Sequence, residues 1–152
     1  MTEPILNWLD EQQENMLDLL GDLVNIDSNS FDKAGVDRVA ERLASFFDLQ
    51  SISHENIPIA THGDAMRAVV AGGKGNRPIL LCGHRDTVFP TGEVEKRPFE
   101  ILDGKAYGPG VADMKPGLVI NAFILAAFQK FGGQPNPLVG LFTGDEEIGS
   151  PT

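Results

Sequence analysis

The segment from Gly117 to Phe131 is apolar almost all the way round, interrupted only by Asn121, Gln129 and Lys130. A helix with that pattern has no face to offer water and has to be buried against other elements. It falls short of the roughly 18 consecutive apolar residues that suggest a membrane span, so its partner is the rest of the protein. Pro116 suits its first turn, where no backbone donor is lost, and Gly132-Gly133 ends it. Two amphipathic helices precede it. The first runs from Ile5 to Val24, with Leu6, Leu9, Met16, Leu20 and Leu23 at helical spacing; the second runs from about Gly35 to Asp48, with Val36, Val39, Ala40, Leu43 and Phe47 on one face. Short apolar runs at 67–71 and 78–82 flank Gly72-Gly73-Lys74-Gly75-Asn76 and are expected to form two strands joined by a turn. Ser51–Ile59 reads as an edge strand closed by Pro58, and Leu138–Thr143 as a final buried strand. Helices alternating with buried strands specify an α/β layered domain, and 152 residues are enough for one domain with a single core.

Glycine is unevenly spread: 14 of the 17 lie from Gly72 onward, so the N-terminal part reads as framework and the remainder as strands joined by specific turns. About 30 residues, Gly83 to Pro116, are loop-like apart from a strand expected near Phe99–Leu102. Loops that long are uncommon and usually functional. A formal charge of -10 excludes the basic face that nucleic acid or an anionic membrane requires. One cysteine excludes an internal disulfide. Met1-Thr2-Glu3-Pro4 has neither the basic nor the apolar region of a secretory leader, so a soluble, cytoplasmic protein is expected.

Three clusters of acid or imidazole groups adjoin the apolar runs: Gly83-His84-Arg85-Asp86, Gly108-Pro109-Gly110-Val111-Ala112-Asp113-Met114-Lys115 and Asp145-Glu146-Glu147. In open α/β sheets ligands bind beyond the carboxyl ends of strands, so these loops are expected to converge on one crevice. The donor set suits a hard or borderline metal. At a strand end His84 and Asp86 point to the same side, so that Asp86 is placed to hold the imidazole of His84. Asp113 has two oxygens with which to bridge two cations. Glu146 and Glu147 project differently, so one is free to ligate while its neighbour faces water. Two metals about 3.5–4 Å apart would polarise a carbonyl and supply hydroxide at neutral pH.

These three segments, in this order and spacing, resemble the signatures of the M20 metallopeptidases, a family that includes glutamate carboxypeptidase, acetylornithine deacetylase and succinyl-diaminopimelate desuccinylase. The helix pair leading to Ile26-Asp27-Ser28 fits as well, and Gly108-Pro109-Gly110-Val111 leans towards the glutamate carboxypeptidase-like branch. The resemblance implies a three-layer α/β exopeptidase-like catalytic domain and two zinc ions, with cobalt or manganese as alternatives. It implies that His84 ligates one zinc, Asp113 bridges both and Glu147 ligates the other. It further implies that Asp86 orients His84, that Glu146 is the general base, and that the peptide bond after Asp113 is cis. The substrate class would be a small peptide or N-acyl amino acid carrying a free carboxylate. The family also has a further carboxylate ligand, a final histidine and a lid or dimerisation domain. None of these occurs in the 152 residues, which therefore correspond to the N-terminal portion of the catalytic domain. Alone they are expected to be inactive, with homodimerisation the work of the absent domain. The rival reading is a non-enzymatic module holding a structural divalent ion.

Other motifs have plainer explanations. Gly72-Gly73-Lys74-Gly75 lacks the Lys-Ser/Thr ending of a phosphate loop and reads as a turn, while Gly108-x-Gly110 lacks the third glycine of a dinucleotide fingerprint. Cys82 is expected to be a packed thiol, His54 and His62 surface residues, and Trp8, Phe123 and Phe128 core residues. For Arg85 and Lys115, contact with substrate and structural pairing both remain open.

Overall fold

The computed structural model describes residues 2–75 and 77–152; Met1, which opens the stretch read for a leader, and Asn76, the last residue of the glycine-rich turn, lie outside the described residues. Five α-helices and six strands follow one another as α1 (Thr2–Asp10), α2 (Gln13–Val24), α3 (Lys33–Leu49), β1 (Ser53–Ile57), β2 (Ala65–Val70), β3 (Ile79–His84), α4 (Glu93–Lys96), β4 (Glu100–Leu102), β5 (Lys105–Tyr107), α5 (Lys115–Phe131) and β6 (Leu138–Thr143), with a single 3-10 turn at Glu146–Ile148. No helix among the described residues is long and apolar enough to cross a membrane.

The main sheet has the order β1-β2-β6-β3. This corrects the expected hairpin: β2 and β3 do not pair, because β6 lies between them, antiparallel to β2 and parallel to β3. The connection from β3 to β6 runs through α5, as parallel strands require. β1 is the edge strand expected, pairing among the described residues only with β2.

The core lies between the sheet and the helices. Met66, Ala68 and Val70 of β2 pair with Phe142, Gly140 and Leu138 of β6 on one face, all buried. Against them pack Phe47 of α3, stacked on Phe142 at 6.0 Å, and Leu118, Ala122 and Leu125 of α5. Gly140 is required here, since a Cβ would come within 2.9 Å of Leu125 and 2.8 Å of the Phe142 ring. α1 and α2 pack against α5. The segment Ile5–Val24 is two helices rather than one, broken at Glu11-Gln12. That break lets Trp8 fold over the end of α5, 6.1 Å from Phe123 and 6.3 Å from Phe131.

The described helices α1, α2, α3 and α5 thus form one layer on one face of the sheet. Alternation puts Arg67, Leu80 and Cys82 on the other face, where all three are exposed. Cys82 is therefore not the packed thiol expected: its strand is at the sheet edge and its side chain faces away from the helices. α5 is not buried all round either, because Ile120 is 55% exposed beside that edge. His54 is half-buried, on Asp48 at 2.9 Å and near the Phe47 ring; His62 is also half-buried.

The long loop Gly83–Pro116 holds α4 and the hairpin β4–β5. Asp103 and Gly104 both have positive φ at its turn, the two-residue geometry that matches strand twist.

Candidate metal centre

β3 and β6 run parallel, with His84 in register with Thr143, so the loops that leave them start side by side. From β3 come His84, Arg85 and Asp86; from β6 come Asp145 and the turn bearing Glu146 and Glu147. The loop before α5 brings Asp113 to the same end. It passes so close to Thr87 that a Cβ at Gly110, where φ is +77°, would lie 2.8 Å from the threonine methyl. The peptide bond Asp113–Met114 is cis.

His84, Asp113 and Glu147 each offer one ligand atom, and these atoms all lie within 4.8 Å of one another. Nε2 of His84 is 3.1 Å from Oδ1 of Asp113 and 3.5 Å from Oε2 of Glu146. His84 is buried, whereas the side chains of Asp113 and Glu146 are 75% and 55% exposed, so the group has a closed floor and an open mouth. One imidazole and two carboxylates that leave one side open suit zinc, cobalt or manganese and are unlike a closed structural zinc site.

Asp86 is wholly buried beneath this group. Its Oδ1 lies 3.3 Å from Nδ1 of His84 and accepts from the Glu146 amide at 3.2 Å. Its Oδ2 accepts from the Glu147 amide at 3.1 Å and from the Ser30 hydroxyl at 2.6 Å. Burial alone would raise the Asp86 pKa; hydrogen bonds from His84, Ser30 and the two amides outweigh it and hold the carboxyl below its ordinary value. For His84, burial pulls the pKa down, but hydrogen bonding and charge from Asp86, with a hydrogen bond to Asp113, raise it to about 9. Burial raises the Glu147 pKa, adjacent carboxylates adding to the effect.

Arg85 and Lys115 point inward, which settles them as structural. Arg85 is fully buried; Nη1 donates to the Val36 carbonyl at 3.2 Å and Nη2 to that of Asp64, tying β3 to the start of α3. Burial lowers its pKa to about 10, against the opposing charges of Asp37, Asp64 and Asp86. Lys115 donates from Nζ to the Ile26 carbonyl at 2.7 Å, and burial lowers its pKa to about 8. Asp145 is turned away as well, accepting from the amide and hydroxyl of Thr152. Ser30 was not singled out by the sequence; the polar run Asp27–Ser30 reads as a loop, and only its placement beside Thr87 brings it to Asp86.

Two mainly apolar clefts flank the centre. One, of about 220 Å³, is lined by Cys82, His84, Met114, Leu141 and Glu146. The other, of about 360 Å³, is lined by Val88, Phe89, Val111, Asp113 and Glu147. A larger cleft of about 470 Å³ opens at the far end of the sheet between β2 and the end of α5, but no ionisable residue lines it.

Residues 80–152 match peptidase family M20/M25/M40. The stretch that matches this family is the one that carries His84, Asp113, Glu146 and Glu147. It is 30% identical to carboxypeptidase G2 of Pseudomonas sp. over 144 residues, which is 92% of this chain and 34% of that protein. It is 36% identical to acetylornithine deacetylase of Pasteurella multocida over 112 residues, 70% of this chain and 28% of that enzyme. The fold is that of human carnosine dipeptidase 1, with a TM-score of 0.82 and 18% identity over 99% of this chain and 36% of the other. It is also that of an M20 family metallo-carboxypeptidase from Sulfolobus solfataricus, with a TM-score of 0.72 and 22% identity over 89% of this chain and 32% of the other. The chain thus spans about a third of the length of these relatives.

Proposed function

We propose that this chain supplies part of the active site of a zinc-dependent hydrolase that cleaves the amide bond of a small peptide or N-acyl amino acid bearing a free carboxylate, acting in the cytoplasm. The observation that carries this reading is the convergence of ligand atoms from His84, Asp113 and Glu147 within 4.8 Å, with Glu146 beside them. Carboxypeptidase G2 and acetylornithine deacetylase, both similar in sequence, bear names that span the two substrate classes.

In this reading His84, Asp113 and Glu147 would hold the zinc. Bound there, zinc would supply Lewis acidity at the scissile carbonyl and an acidified water. Asp86 fixes the imidazole of His84 through Nδ1, leaving Nε2 for the metal. Its two amide contacts set where the Glu146–Glu147 turn begins. Glu146, more than half exposed and 3.5 Å from His84, takes the proton from the attacking water and returns one to the leaving nitrogen. The flanking apolar clefts give the two sides of the substrate water-poor surfaces to rest on.

In an active preparation of the protein, Glu146→Gln should lower kcat for N-acyl amino-acid hydrolysis by about 10²–10⁴-fold with metal content unchanged, the usual range for a lost general base. His84→Ala should lose metal and activity together. A Glu146→Gln variant with full turnover would refute the assignment of the base.

A further inference from the structure

We propose that Ser30 positions the Asp86 carboxylate and, through it, both the imidazole of His84 and the Glu146–Glu147 turn. This inference rests on the metal-centre reading above and adds to it a residue from a part of the chain remote from all three acidic clusters.

The geometry is specific. Asp86 has no exposure to water, so its orientation depends on protein donors alone. Oδ1 serves the Glu146 amide and lies 3.3 Å from Nδ1 of His84, which is also 3.1 Å from the Asp86 carbonyl, while Oδ2 serves the Glu147 amide and Ser30. The Ser30 contact, at 2.6 Å, is the shortest of the four, as expected for a hydroxyl donating to a carboxylate. The other three donors belong to the segments whose placement Asp86 itself sets. Ser30 comes from the loop between α2 and α3, which is tied to the chain just beyond Asp86. There the Thr87 amide donates to the Ser28 carbonyl at 2.8 Å, Nδ2 of Asn29 donates to the Phe89 carbonyl at 3.0 Å, and Asn29 forms a parallel bridge with Thr87. Ser30 therefore provides the fixed point against which the carboxylate is turned. Without it, Oδ2 keeps a single donor and the carboxylate is free to rotate away from His84.

Ser28 supplies the control. It lies two residues away, is equally buried at 1% exposure against 2%, and its hydroxyl has no hydrogen-bond partner among the described residues. Loss of a hydroxyl from this loop can thus be separated from loss of the contact to Asp86.

The test is a cobalt(II) titration of the 152-residue chain, with amide hydrogen exchange measured at Glu146 and Glu147 without metal, in Ser30→Ala, Ser30→Thr and Ser28→Ala. Partners one step behind a metal ligand usually change affinity 10–100-fold, and we expect about tenfold weaker cobalt binding for Ser30→Ala. Exchange at both amides should rise by about as much, since each loses a fixed acceptor. Ser30→Thr should restore both readouts, and Ser28→Ala should leave both within about twofold. Wild-type values in Ser30→Ala would overturn the proposal, as would an equal loss in Ser28→Ala. If Ser30→Ala does not fold, Ser30→Cys, a weaker donor of similar size, makes the same comparison, and wild-type values there count against the proposal. If the wild-type chain binds no cobalt, that result counts against a metal held by His84, Asp113 and Glu147 alone, and exchange at Glu146 and Glu147 decides the role of Ser30 on its own.

Discussion

Without metal, the ligand atom that His84 would give to a cation is engaged by a proton. The imidazole lies among Asp86, Asp113 and Glu146, and Asp86 and Asp113 raise its pKa from 6.5 to about 9 in spite of burial. Metal binding must expel that proton, so affinity is set by pH well above the range where an ordinary histidine titrates. Competition with a pKa of about 9 leaves roughly 1% of the imidazole neutral at pH 7 and roughly a quarter at pH 8.5. Apparent affinity should therefore rise about 20-fold over that interval, whereas a histidine at 6.5 would give less than about 1.5-fold. The folded pKa is the raised one, so the protonated cluster stabilises the metal-free fold fully below pH 6.5, and this contribution is lost as pH rises through 9. At about 1.4 kcal/mol per unit the contribution is about 3 kcal/mol. Calorimetric titration with cobalt(II) at pH 7.0 and 8.5, in two buffers of different ionisation enthalpy, measures both affinity and protons released. Near one proton released at pH 7 is expected; no release and a flat affinity would refute the reasoning.

Two further predictions concern Lys115, which the sequence left open, and Cys82, which it placed in the core. Lys115 has its pKa lowered to about 8 by burial, so its cost to the fold is fully present below pH 8 and relieved as pH rises towards 10.5. Lys115→Met should be more stable than wild type by about 1–3 kcal/mol at pH 7 and converge with it near pH 10 in urea denaturation; parallel curves would contradict this. Cys82 is exposed on the uncovered face, so a thiol reagent should label the folded chain within about tenfold of its rate with the unfolded chain, and labelling only after denaturation would place the thiol elsewhere.

Much of the site was legible because its chemistry is local in the chain. His84 and Asp86 share one strand end, Asp113 lies just before α5, and Glu146 and Glu147 follow β6; Gly and Pro marked each turn. Ser30 was not legible. Nothing in Asp27-Ser28-Asn29-Ser30 distinguishes the serine that meets Asp86 from the one that meets no partner. The inward turn of Arg85 and Lys115 was hidden for a related reason: both reach carbonyls of distant segments, at Val36, Asp64 and Ile26.

The same division holds for the fold. Periodicity and turn chemistry depend on neighbours within a few residues, and so the sequence by itself determined the helix faces, the existence of most strands and the residue types able to hold a metal. Strand order depends on contacts between segments far apart in the chain. Two apolar runs across a glycine turn look like a hairpin, yet β6, with Leu138, Val139, Gly140 and Phe142 buried, is the strand that lies between β2 and β3. That insertion makes β3 an edge, turns Cys82 and Leu80 outward, and sets His84 beside Thr143, from which Glu146 and Glu147 follow. Tertiary structure alone decided it, because burial is a property of the assembled layers and no short stretch of sequence carries it.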